Sequence, residues 1–324
     1  MSSRKYAIGC DVGATKISVS LSFQRGTIAD RVISQSRTSY GPDGLIRQIG
    51  LAYEELERRH SLSKEDCIGI GVAFAGFVRS VDGHVFFSPN MPGWTGASLR
   101  SLLQDHFSVP TSVHNDANVG ALGEFVHGGQ IRDEDFLYVT VSTGIGGGMI
   151  INGRIYEGPS HVAGEIGHTT VLENGPRCGC GRYGCLEAVS SGSGIARIAA
   201  ERMKSEKTAL SKHVVEGKEA DARVIFQEAK NGDALCAGIV DDACKFLGLA
   251  LANAVTLMGF RKVVVGGGMA REGEFLRSRV ERHMLRFLAG GPNEDVSLLI
   301  SRYPDSIVDI GAVELAFMAA EGNG

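Results

Sequence analysis

No run of apolar residues in this 324-residue sequence reaches the ~20 needed to span a bilayer, so a membrane partner is not expected. Positive charge is also scarce. Lys and Arg number 33 against 37 Asp and Glu, a formal net charge of −4, and such a field does not favour nucleic acid. No signal peptide is expected, since Met1-Ser2-Ser3-Arg4-Lys5-Tyr6 runs straight into a strand-like segment. Low-complexity segments are absent as well. The seven cysteines are an odd number and three of them cluster, which argues against a disulfide framework and for a reducing cytoplasm. Cys10, Cys67, Cys236 and Cys244 sit in apolar stretches and are expected in the core.

What is abundant is glycine, with 44 residues. Several concentrate at Gly144 to Gly148 and Gly266 to Gly268, a pattern of backbone approaching a ligand. The densest chemistry lies between His168 and Glu187. Cys178, Cys180 and Cys185 fall within eight residues, and His168 lies ten residues upstream. Three thiolates and one imidazole form the donor set of a closed tetrahedral Zn²⁺ site. Free thiols or a disulfide are the plainer alternative. A metal here would pin Glu165 and Glu187 to one place, and the second imidazole nitrogen would face another group.

The length accommodates two domains with sizeable cores. Tyr6 to Cys10 reads as a strand, and Asp11 to Lys16 as a polar turn. Ile17, Val19, Leu21 and Phe23 alternate with serines, which predicts a half-buried return strand. Cys67 to Ala73 is a continuous apolar run suited to a strand buried on both faces. Asn115 and Asp116 fall where a short strand ends and a helix begins. The pattern then restarts: Phe136 to Val141 as a strand, Ser142 to Gly148 as a glycine-rich turn, and Met149 to Ile151 as the return strand. Asn152-Gly153 signals a type I′ hairpin. Ser190 to Lys204, Ala234 to Met258 and Glu272 to Leu288 read as helices. Arg261 to Val265 reads as a buried strand, and Ile310 to Ala320 as a final helix apolar on one face. Lys204 to Glu219 is a polar insert.

Each of the two turns is an anion nest or an ordinary hairpin turn. Neither carries the Gly-x-x-x-x-Gly-Lys-Ser/Thr of a P-loop or the Gly-x-Gly-x-x-Gly of a dinucleotide fold. Asp11 is placed to hold Mg²⁺ through water, and Thr15 to donate to a phosphate. Asp116, at a strand's C-terminal end, suits catalysis and suits a helix N-cap equally.

Taken together and in order, six motifs resemble the ROK family (repressor, open reading frame, kinase). They are Asp11-x-Gly13-x-Thr15-Lys16, Asn115-Asp116-Ala117-Asn118, Thr143-Gly144-Ile145-Gly146-Gly147-Gly148, Glu165-x-Gly167-His168, Cys178-x-Cys180-Gly181-x-x-Gly184-Cys185-x-Glu187, and Gly266-Gly267-Gly268. The likeness covers Tyr6 to about Ala319. It implies a two-domain α/β fold of the actin-like ATPase (ribonuclease H-like) kind with an interdomain cleft. The expected division is 1–118 plus 305–324 against 119–304. The resemblance further implies an ATP-dependent kinase of a hexose 6-hydroxyl, glucose first, with amino sugars, allose or fructose as alternatives. A sugar-responsive regulator is the rival outside the enzyme class; such regulators carry a DNA-binding segment ahead of the first strand, where only five residues precede Tyr6. Asp116 would be the general base. Gly76, Asn90, Asn115, Glu165, His168 and Glu187 would face the sugar. Asp11, Gly13, Thr15, Lys16, Thr143, Gly144, Gly146, Gly267 and Gly268 would hold ATP with Mg²⁺. His168, Cys178, Cys180 and Cys185 would bind Zn²⁺. A homodimer is implied. The chain departs from the family at Ala75-Gly76-Phe77-Val78-Arg79, where Pro-Gly is usual, so this loop is expected to tune which sugar is accepted.

Overall fold

The computed structural model describes residues 4–37, 41–88, 91, 93–94, 96–131, 134–214, 220–288 and 295–322. They form two compact units. The first holds Met1–Glu134, Gly148–Gly164 and Asp305–Gly324; the second holds Asp135–Gly147 and Glu165–Pro304.

In the first unit β1 (Tyr6–Val12), β2 (Lys16–Ser22) and β3 (Asp30–Gln35) lead to α1 (Gly41–His60) and β4 (Cys67–Phe74). A small sheet follows, β5 (Phe77–Arg79), β6 (His84–Phe87) and β7 (Ala97–Ser98), then α2 (Leu99–Phe107), β8 (Thr111–Asn115) and α3 (Asp116–Gly123). The main sheet has the order β3-β2-β1-β4-β8. Its first three strands are antiparallel, while β1, β4 and β8 run parallel. The expected boundary at Asn118 falls inside α3, which lies in the first unit as a whole.

The second unit opens with β9 (Phe136–Val141) and β10 (Ile145–Ile151), and the chain re-enters the first unit within β10 before β11 (Arg154–Ile155). After the cysteine loop come α4 (Leu186–Ser190), α5 (Gly192–Arg202), α6 (Ala222–Lys230), α7 (Ala234–Met258), β12 (Lys262–Gly266), α8 (Glu274–Phe287) and β13 (Ser297–Ile300). The sheet order, β11-β10-β9-β12-β13, repeats the ordinal pattern of the first sheet. β9, β12 and β13 are parallel. Asn152 and Gly153 both have positive φ, 53° and 71°, as a type I′ turn requires.

The last helix, α9 (Ile307–Ala320), returns to the first unit and explains two departures from expectation. It lies directly on β1 and β4. A Cβ on Gly71 would sit 2.0 Å from the Ala312 carbonyl oxygen, and one on Gly69 2.3 Å from that of Ala316. On its other side Gly311 would meet the Val119 carbonyl of α3 at 2.0 Å. Being covered by sheet and helix together, α9 is buried along most of its length rather than apolar on one face. It also buries Ser18, Ser20 and Ser22, so β2 is covered on both faces instead of half exposed.

A third departure concerns the glycine run. Gly146, Gly147 and Gly148 belong to strand β10, not to the turn. Gly148 is required by packing: a Cβ there would lie 2.5 Å from the Ala117 carbonyl of α3. The lone cysteines Cys10, Cys67, Cys236 and Cys244 are buried, as expected. Among the described residues no helix is long and apolar enough to cross a membrane.

Candidate active site

In the first unit the β1–β2 turn is closed by backbone. Gly13 N donates to Lys16 O at 3.0 Å, and Ser36 N to Thr15 O at 3.0 Å. Lys16 Nζ lies 3.8 Å from Asp11 Oδ2. Burial and the nearby Asp309 carboxylate push the Asp11 carboxyl up to about 7, against the pull of Lys16; Asp116 adds to the rise. Asp309 is itself held by Ser20 Oγ at 3.2 Å and Arg31 Nη1 at 3.3 Å. Asp309 went unread in the sequence. An acid at the start of a strongly apolar helix was the available signal.

At the end of β8 the structure separates two roles that adjacent residues compete for. Asn115, not Asp116, is the N-cap of α3: its Oδ1 accepts from Ala117 N at 2.9 Å and Asn118 N at 3.4 Å. Its amide nitrogen donates to Gly76 O at 3.0 Å, tying the helix start to the Ala75–Gly76 loop. Asp116 is the first helical residue, with Oδ1 3.0 Å from Ala117 N. Gly76 is confined: a Cβ there would lie 2.9 Å from the Phe74 ring and 3.0 Å from Phe87 O. Asn90 lies outside the described residues.

In the second unit the β9–β10 turn is tight, Ser142 N donating to Gly144 O at 2.9 Å. It is braced by the start of α5. Gly192 N donates to Ser142 O at 2.7 Å, and Ser193 Oγ to Thr143 O at 2.7 Å. The stretch Ser190 to Lys204 was expected as one helix. It breaks at Ser191, which caps α5 by accepting from Gly194 N. The Ser-Gly-Ser-Gly composition was the signal for that break. Gly267, at φ 79°, leaves no room for a side chain: a Cβ would sit 2.6 Å from Thr140 Oγ1 and 2.8 Å from Val141 N. Gly268 lies against Ser142 in the same way, at 3.3 Å. Gly267 and Gly268 therefore lie against Thr140 to Ser142, the end of β9 that leads into Thr143 and Gly144, and Gly146 follows in β10.

The four expected metal ligands also converge. Ligand atoms of His168, Cys178, Cys180 and Cys185 all lie within 4.8 Å of one another. Cys180 Sγ and Cys185 Sγ are 3.7 Å apart, far beyond a disulfide bond of about 2.05 Å. His168 turns Nδ1 towards the thiols, 3.6 Å from Cys178 Sγ, and Nε2 towards Glu165 Oε2 at 4.0 Å. Arg182 Nη2 donates to the His168 carbonyl at 3.1 Å, closing the loop on itself. Gly167 lets this segment lie on β10, since a Cβ would be 2.0 Å from Ile145 O. Glu187 joins the cluster to the turn. Its Oε1 lies 3.8 Å from Cys178 Sγ, and its Oε2 accepts from Ile145 N at 3.0 Å.

Two units with the same ordinal strand pattern, each opening on strand–turn–strand, define the class: a two-domain α/β protein of the actin-like ATPase kind. The ROK family model matches residues 7–318, and the chain belongs to the ROK family. A glucokinase of Halalkalibacterium halodurans is 36% identical over 289 residues, 87% of this chain and 86% of that one. The crystal structure of a ROK family glucokinase from Streptomyces griseus in complex with glucose and AMPPNP aligns with a TM-score of 0.83. It is 28% identical and covers 97% of this chain and 99% of that chain. A xylose repressor of Caldicellulosiruptor bescii is 27% identical over 312 residues, 95% of this chain and 77% of its own.

Proposed function

We propose that the protein is an ATP-dependent kinase of a hexose 6-hydroxyl, with glucose as the first substrate. The observation that carries this is the division of labour at the start of α3. Asn115 supplies the helix cap, so capping does not account for Asp116, which sits at a strand's C-terminal end where α/β proteins gather ligands. In this reading Asp116 takes the proton from the 6-hydroxyl as that oxygen attacks the γ-phosphorus in line, and the bond from the γ-phosphorus to the bridging oxygen breaks to release ADP. Asp11, Gly13, Thr15, Lys16, Thr143, Gly144 and Gly146 are the residues that hold the phosphates. Gly267 and Gly268 lie under the adenosine. Gly76, Asn90, Asn115, Glu165, His168 and Glu187 face the sugar, Asn115 with the amide hydrogen that Gly76 does not take. Mg²⁺ bound with ATP supplies neutralising charge on the phosphates, so positioning and electrostatics account for most of the rate.

The cysteine cluster fits a structural Zn²⁺. Metal–sulfur and metal–nitrogen bonds of about 2.3 and 2.1 Å in a tetrahedron require S···S and S···N edges of about 3.8 and 3.6 Å. The distances of 3.7 Å between Cys180 and Cys185 and 3.6 Å between Cys178 and His168 meet both. Such a site has no open position, so its contribution is to hold His168, Glu165 and Glu187 in place. A cytoplasmic homodimer that binds no nucleic acid completes the reading.

The match to a xylose repressor favours one alternative, a sugar-responsive regulator. An ADP-release assay over a panel of hexoses and amino sugars, with ATP and with polyphosphate, decides. Turnover of glucose with ATP supports the kinase. Sugar binding without turnover, together with sequence-specific DNA retention in a gel shift, supports the regulator.

A further inference from the structure

In the first unit three side chains converge on a carboxylate that has no part in the site above. Glu157 follows β11, and its side chain is 16% exposed. Ser80 Oγ donates to its Oε2 at 2.5 Å. Nδ1 of the buried His114 lies 3.1 Å from Oε1, off the line of a good hydrogen bond. His161 Nδ1 is 3.6 Å from Oε2. Burial alone would raise the Glu157 carboxyl. His114, Ser80 and His161 outweigh it and hold the group below its ordinary range.

The segment carrying Glu157 is tightly closed. Ala163 N donates to Glu157 O at 2.9 Å and His161 N to Gly158 O at 3.1 Å. His161 sits at φ 56°, a left-handed conformation rare outside glycine and kept where surrounding contacts impose it. Two partners of Glu157 border residues of the acceptor side. His114 lies two residues before Asp116 on β8, and Ser80 directly follows β5 and the Ala75–Arg79 loop. Asn115 already binds that loop through Gly76. The end of β8 and the loop are thus joined twice, by a neutral amide contact and by a buried ion.

We propose that Glu157 is a positioning residue for the acceptor sugar. By gripping His114 and Ser80 it fixes the end of β8, and with it Asp116, against the loop that selects the sugar. This rests on Asp116 acting as the base. Without Glu157 two buried polar groups lose their partner, and the strand end shifts to find others. A displacement of about 1 Å at a catalytic group costs up to roughly 100-fold in rate.

The test is steady-state kinetics and thermal melting of the full chain carrying Glu157→Ala, Glu157→Gln or Asp116→Asn. Glu157→Ala is expected to lower kcat roughly 10- to 100-fold and raise the hexose KM while the ATP KM holds. Glu157→Gln keeps an acceptor for Ser80 and is expected to recover part of the loss. Unchanged kcat and hexose KM in Glu157→Ala overturn the proposal. So does a parallel rise of both KM values with a lower melting temperature, which marks a merely structural role. If Glu157→Ala does not fold, Ser80→Ala and His114→Gln each remove one contact and are read by the same split. Turnover retained in Asp116→Asn sinks the base assignment alone, while the KM split in Glu157→Ala still decides whether Glu157 positions the acceptor side.

Discussion

Glu187 Oε2 accepts a hydrogen bond from Ile145 N at 3.0 Å, so one carboxylate of the cysteine loop closes the β9–β10 turn. Its second oxygen faces Cys178, which makes Glu187 the link between the cysteine–histidine cluster and the proposed phosphate turn. Glu187→Ala should therefore raise the KM of both glucose and ATP. A hydrogen bond to a charged group contributes about 1.5–3 kcal/mol, or roughly 10- to 100-fold. Glu165→Ala, by contrast, should affect the sugar alone. An ATP KM unchanged in Glu187→Ala would separate the loop from the turn.

Asp116 and Asn115 should fail in different ways. Asp116→Asn is expected to lower kcat by about 10²- to 10⁴-fold with melting temperature and sugar binding kept. Asn115→Ala should cost about 1 kcal/mol of stability through loss of the cap. Chemical denaturation and turnover on the same two proteins check the contrast. Near-normal kcat in Asp116→Asn would remove the base from the mechanism.

Asp11 sets a pH dependence. Its folded carboxyl, at about 7, titrates above its ordinary value of 3.8. Between these values the folded chain holds a proton that the unfolded chain releases. Folding stability from this group is therefore greatest below about 4 and declines as pH rises towards 7. Asp11→Asn should stabilise the protein at pH 8 and leave it unchanged at pH 3 in denaturant titrations. The MgATP KM of the wild type should also rise as pH falls through 7, since a protonated Asp11 no longer attracts the cation. A KM flat across that range would take Asp11 out of the metal's surroundings.

Cys180→Ser should lose zinc, sugar affinity and thermal stability together. The loop is glycine-rich and has little apolar surface, so metal binding and its folding are coupled. Metal analysis and sugar titration measure this. Full sugar affinity in a zinc-free protein would refute the coupling.

The Ala75 to Arg79 loop should govern sugar choice, but proline at 75 is a poor probe. Ala75 N donates to Val12 O at 3.0 Å, a bond that proline would delete. Phe77 is the better site, its ring stacked on Phe87 with centroids 4.4 Å apart. Phe77→Ala is expected to change the ratio of kcat/KM values among hexoses. A common fall across the panel would reduce the loop to a scaffold.

Features whose parts lie close together along the chain were legible in advance. The convergence of His168, Cys178, Cys180 and Cys185 is one, because side chains so closely spaced along a short loop have few other places to go. The two strand–turn–strand openings are another, because alternation and turn residues are local signals. Their repetition hinted at a duplicated architecture, which the identical strand order of the two sheets makes plain.

Features set by partners distant in sequence were not legible. Nothing near Ser18, Ser20 and Ser22 announces that a helix from the far end of the chain will cover them. Gly148 looks like turn material until α3 is seen against it, and Asp116 looks as fit for a helix N-cap as for catalysis until Asn115 is seen in the cap position. Glu187 reaches Ile145 across 42 residues. Sequence alone determined which chemical groups each segment offers, because spacing and residue type are written in it. Tertiary structure decided which of them the fold itself employs, because a buried hydrogen bond or a glycine contact exists only once the two segments have met.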